Sequence, residues 1–126
     1  MSISSIGKTS NLNLYGIAFS LEESSIIIDN SKFSDLSSIQ GSAIYSLQSS
    51  YSQIQQSVTI LNCSFINITA SNGSAIYAQD TNAIIQKSYF SSNSANVSGG
   101  ALYLACSKSN NRGCTFDVSY NIFTLN

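Results

Sequence analysis

The sequence predicts an all-β chain wound as a parallel β-helix, a single-stranded solenoid of about four to five coils of ~25 residues. Three observations carry that prediction. Aligned on phenylalanine, Phe33, Phe65, Phe90 and Phe123 step by 32, 25 and 33. Aligned on alanine, Ala18, Ala43, Ala75 and Ala101 step by 25, 32 and 26, so both landmarks give one base period near 25 with two insertions. Third, the apolar runs are short, rich in Ile, Val, Phe and Tyr, and broken by Asn, Ser and Gly. Helical repeats need three-and-four apolar spacing over about ten or more positions, and these runs do not sustain it.

The coils follow in order at about 1–25, 26–57, 58–82, 83–115 and a partial 116–126, all in one domain. Met1 and Ile3 fall 25 before Ile26 and Ile28, but Lys8 stands where a phenylalanine belongs, so the opening coil is expected to fray. The coil at 58–82 is the cleanest. Val58-Thr-Ile-Leu-Asn-Cys-Ser-Phe65 reads as one strand and Gly73-Ser-Ala-Ile-Tyr-Ala78 as a second, with polar turns between and after them. Copies of the second strand start at Gly41 and Gly99, and an earlier one at Gly16. The extra residues fall within Leu47–Ser57 and between Leu104 and Thr115, and both read as surface loops.

Strand alternation puts Ile44, Ile76 and Leu102 on one face with Ser46, Ala78 and Leu104. Ala43, Ala75 and Ala101 share the other face with Tyr45, Tyr77 and Tyr103. The aliphatic face is expected inside and the tyrosine face outside, because tyrosine tolerates water. The phenylalanines are expected to stack inward at the strand spacing of about 4.8 Å. No capping helix or polar end-strand is visible, so the chain reads as a segment of a larger protein that self-associates through open solenoid ends.

Gly99-Gly100-Ala101-Leu102, with Phe90-Ser-Ser-Asn93 and Phe123-Thr-Leu-Asn126, resembles the polymorphic outer membrane protein repeat. The resemblance covers residues 16–126 and implies a right-handed β-helix of the pectin-lyase type, found in surface and secreted proteins. The chain departs from the pattern at several positions. Ser42 and Ser74 replace the second glycine, Leu36 and Ile68 replace the asparagine, and Asn67 sits one place early.

Composition narrows the function. Charged residues are 9% of the chain and the net charge is −1, which leaves no basic face for nucleic acid or an anionic membrane. The N-terminus lacks a charged region followed by an apolar core, and no apolar run reaches the roughly 18 residues of a membrane span. The expected place is extracellular or at the cell surface as part of a larger protein, with no membrane contact by this segment itself.

A catalytic reading needs paired carboxylates, or acids with a base. Asp29, Asp35, Asp80 and Asp117 fall at four different coil positions, Glu22 and Glu23 are sequence neighbours, and the single arginine, Arg112, lies in an insert. No enzyme, no catalytic residue, no cofactor and no metal site is expected; three cysteines without histidine disfavour zinc. Cys106 and Cys114 are a candidate disulfide closing the second insert, worth about 2–3 kcal/mol in an oxidising compartment, with two free thiols as the alternative. Cys63 reads as a small buried residue. Four glycosylation sequons, at Asn62, Asn67, Asn72 and Asn96, are what a chain this rich in Asn, Ser and Thr gives by accident. The expected function is a non-catalytic structural or adhesive module of a surface protein, with glycans or other surface proteins as partners. A carbohydrate-binding β-helix is the alternative and a polysaccharide lyase or hydrolase fragment a weaker one. Tyr45, Tyr77 and Tyr103 are the candidate ligand-facing residues, as a flat row of rings.

Overall fold

The computed structural model describes residues 2–3, 18–21, 24–37, 43–48, 55–107 and 113–126. Every element among them is a β-strand, and every pairing is parallel. The strands form three sheets. The first holds β1 (Ser2–Ile3), β3 (Ile26–Asp29), β6 (Ser57–Leu61), β9 (Asn82–Gln86) and β13 (Phe116–Ser119). The second holds β4 (Lys32–Ser37), β7 (Ser64–Asn72), β10 (Tyr89–Ser91), β11 (Ser94–Ser98) and β14 (Ile122–Thr124). The third holds β2 (Phe19–Leu21), β5 (Ile44–Leu47), β8 (Ile76–Gln79) and β12 (Leu102–Ala105). Each pass of the chain visits the sheets in this order and returns one layer further along, which is a right-handed parallel β-helix.

The register stacks like on like. Ile28 pairs with Ile60, Ile60 with Ile85 and Ile85 with Val118. Phe33, Phe65, Phe90 and Phe123 form an inward column with ring centroids 4.8, 4.9 and 4.8 Å apart and near-parallel planes. Ile3 lies opposite Ile28, so the register reaches the opening coil. Lys8 lies outside the described residues.

Two sequence expectations need correction. The stretch Val58–Phe65 is two strands on two sheets, because Asn62 takes a left-handed conformation (φ 53°) and turns the chain. The same column holds Asn30, Lys87 and Tyr120, all left-handed. The inward positions Val58, Ile60, Cys63 and Phe65 show the turn as a slip in the alternation. Second, Ala43, Ala75 and Ala101 are buried in the core. They precede their strands, at a corner where the alternation with the tyrosines has not begun.

The asparagine of Phe-x-x-Asn is a corner brace between coils. Asn93 donates from Nδ2 to the carbonyl of Phe65 (3.0 Å) and accepts from the Ile68 N–H (3.1 Å). Asn126 repeats this on Phe90 and Asn93, at 3.0 Å each. Asn67 plays another part: with Asp35, Ser92 and Leu125 it is the left-handed residue of that turn. It donates to the Asp35 carboxylate at 2.8 Å.

The glycine pair divides in the same way. Gly99 sits at φ +69°, where a Cβ would strike the Leu102 carbonyl. A Cβ on Gly100 would meet nothing nearer than 3.4 Å. Ser74 fills the equivalent place one coil earlier and donates its hydroxyl to the Gly100 carbonyl. Gly99→Ala is therefore expected to destabilise by about 1 kcal/mol or more, and Gly100→Ala to stay within about 0.5 kcal/mol of the parent. Paired urea melts check both.

Packing differs along the axis. Ile85 and Phe90 are fully buried, whereas their partners in the last layer, Val118 and Phe123, are 41% and 46% exposed. Phe33, in an early layer, is closed over by the edge of Phe19 at 6.3 Å.

Candidate contact face and its two inserts

Strand alternation on the third sheet turns Tyr45, Tyr77 and Tyr103 outward while Ile44, Ile76, Ser46 and Ala78 are buried. Register places the tyrosines directly over one another. Ring centroids lie 4.8 and 4.7 Å apart, with planes 11° and 4° from parallel. The ring faces are thus turned mostly toward one another along the column. What the row offers outward is a ladder of edges and hydroxyls rather than the flat floor of rings expected from sequence. Strand spacing explains this: stacked rings at about 4.8 Å bury their faces on their neighbours.

Tyr77 donates its hydroxyl to Gln79 Oε1 at 2.5 Å. Its pKa lies above the ordinary tyrosine value, first through burial and then through Tyr45, Tyr103 and Asp80 around it. The hydroxyls of Tyr45 and Tyr103 have no hydrogen-bond partner among the described residues, since Leu47 and Ala105 occupy the place that Gln79 holds beside Tyr77. The face is uncharged along β5, β8 and β12.

Both insertions leave the solenoid at one corner, between the third sheet and the first. One runs from β5 to β6 and the other from β12 to β13, with the tight Asp80-Thr81 turn of the intervening coil between them. Residues 49–54 and 108–112 lie outside the described residues.

The feet of the first insert are not a surface loop, contrary to the sequence expectation. Gln48 and Gln56 are buried. Gln56 accepts from the Ser24 N–H at 3.1 Å and donates to the Leu21 carbonyl at 3.4 Å and to the Ser46 hydroxyl. Gln48 Oε1 accepts from the Gln56 N–H at 2.6 Å, and Ser46 bonds Thr81 across 3.0 Å. Two glutamines eight positions apart, bracketing a Ser-rich run, are the only trace of this network in the sequence. Nothing in their spacing shows that they point inward.

The second insert is held covalently: Cys106 and Cys114 form a disulfide, with Cα atoms 5.9 Å apart. Cys63 is a free thiol in the core, its pKa pushed up by burial.

The four aspartates stay apart. Asp29 lies opposite Leu61, and Asp117 opposite Ile84. Asp29, Asp35 and Asp117 accept from Asn62, Asn67 and Gln86 of neighbouring coils at 2.9, 2.8 and 2.7 Å. Glu22, Glu23 and Arg112 lie outside the described residues, as do Gly16, Gly41 and Ser42.

The family model of the Chlamydia polymorphic membrane protein (Chlamydia_PMP) repeat matches residues 62–79 and again 87–105. Two successive coils of this chain are thus similar to that repeat. Each repeat begins at the left-handed residue after the first sheet, passes the stacked phenylalanine, and ends on the third sheet just beyond its tyrosine. Tyr77 and Tyr103 therefore lie within the repeats, and Tyr45 in the coil before them. No curated protein and no solved structure matches the chain. Among the described residues, no helix is long and apolar enough to cross a membrane.

Proposed function

We propose that this segment is a non-catalytic adhesive module of a cell-surface protein and that the outer face of the third sheet is its contact surface. The observation that carries this reading is the uncharged tyrosine ladder, three hydroxyl-bearing edges at a fixed spacing on a rigid stack. Two insert feet, pinned by a buried amide network and a disulfide, frame it at one corner. Loops fixed on a rigid scaffold are where binding concentrates. Uncharged hydroxyls, an amide and aromatic edges suit a neutral polyol, so neutral glycans are the favoured ligand class. The repeat type supports the surface location, and separated aspartates support the absence of catalysis.

Tyr77→Ser tests the contact face, because Tyr77 is the middle ring. The variant is expected to fold, judged by circular dichroism, and to lose most retention on a neutral-glycan array. Retention equal to the parent's removes the ladder from the contact, and no retention of any glycan by the parent ends the glycan reading.

A further inference from the structure

Three metal-ligating side chains meet where the second insert leaves the solenoid. A carboxylate oxygen of Asp80 and the sulfurs of Cys106 and Cys114 all lie within 4.8 Å of one another. The carboxylate is held by two donors, the Ser107 N–H at 2.5 Å and the Ser107 hydroxyl at 2.9 Å. Gln55 donates from Nε2 to the Asp80 carbonyl at 3.0 Å, yet its Oε1 is shut from solvent with no partner among the described residues. A buried acceptor left without a donor is costly and calls for an explanation. Both legs of the insert are also tied to the coil below. The Asp80 N–H donates to the Ala105 carbonyl at 2.8 Å, and the Thr115 N–H to Asn82 Oδ1 at 2.8 Å. The insert is thus tied to the coil below by bonds other than the disulfide.

We propose that this cluster is a redox-gated site for a soft divalent cation, closed while the disulfide stands and open once it is reduced. A dithiol or phosphine reductant supplies two electrons, and two protons come from the reductant or from water. The S–S bond breaks, Cys106 and Cys114 become thiols, and the reductant leaves as its disulfide or phosphine oxide. A divalent cation then binds both sulfurs and the Asp80 carboxylate and releases the two thiol protons to solvent. Two thiolates and a carboxylate, with an amide oxygen or water as fourth ligand, suit the tetrahedral preference of zinc. The Ser107 donors then orient the ligating carboxylate, as outer-shell groups do. The oxidised sulfurs carry no charge and offer no such site.

Cadmium reads this directly, because thiolate-to-cadmium charge transfer absorbs in the ultraviolet. The reduced chain is expected to develop that band on Cd2+ titration and to release Cd2+ to excess Zn2+, while the oxidised chain shows none. Asp80→Asn keeps a residue tolerant of the left-handed backbone at this position (φ 56°) and is expected to weaken binding by about tenfold or more. Cys106→Ser is expected to abolish the site and Cys63→Ser to leave it intact, with circular dichroism confirming that each variant folds. A reduced parent without the band overturns the proposal. So does Asp80→Asn with parental affinity, which would make the cysteines an ordinary dithiol, or a band that disappears with Cys63.

Discussion

Phe65→Ala is expected to destabilise the chain by about 3–5 kcal/mol, the usual cost of truncating a buried phenylalanine. The ring is fully buried and stacked on both sides, against Phe33 at 4.8 Å and Phe90 at 4.9 Å. Its loss opens a cavity between the Phe33 and Phe90 rings, and backbone pairing on either side resists collapse into it. Stability in a solenoid is a sum of coil and interface terms, so one failed coil weakens two interfaces. Phe123→Ala, at the same register but with one stacked neighbour and 46% exposure, should cost well under half as much. Urea melts of the two variants check the ordering, and a Phe65→Ala midpoint close to the parent's would mean that the column is not what binds the coils.

The second large effect is expected at Gln56, a residue that sequence alone assigns to a surface loop. Gln56→Ala removes the partner of the Leu21 carbonyl, the Ser24 N–H and the Ser46 hydroxyl in one step. The Leu21 carbonyl is left buried without its donor, whereas Ser46 keeps its bond to Thr81 and Ser24 is exposed, so a loss of about 1–3 kcal/mol is expected. Gln55→Ala removes the bond to the Asp80 carbonyl and should cost about 1 kcal/mol or less. Melts read with amide exchange would place the Gln56 loss in the layers it joins: the Leu21–Ser24 corner, β5 and the start of β6. Uniform loosening along the solenoid would count against the local network.

Repetition alone makes the solenoid legible. A phenylalanine, an isoleucine and a small-residue turn recurring at fixed offsets can be satisfied together only by stacking coil on coil. The inward Phe column, the outward tyrosines and the buried Cys63 follow from that repetition and from strand alternation. The corner between the first and second sheets is also written in the chain, as the phase slip between Ile60 and Cys63, although Val58–Phe65 looks like one strand until Asn62 is known to be left-handed. What only the tertiary structure decided depends on neighbours in space. A left-handed residue, a buried Gln56, tyrosine faces turned on one another, and an aspartate set against two sulfurs leave no periodic trace, and the recurring alanines do not show in sequence that they point inward. Most of these arise where two coils meet across about 25 to 36 residues of chain. The sequence by itself therefore determined the winding and its inward columns. The contacts between windings, which shape the tyrosine face and the cysteine–aspartate cluster, exist only once the coils are stacked.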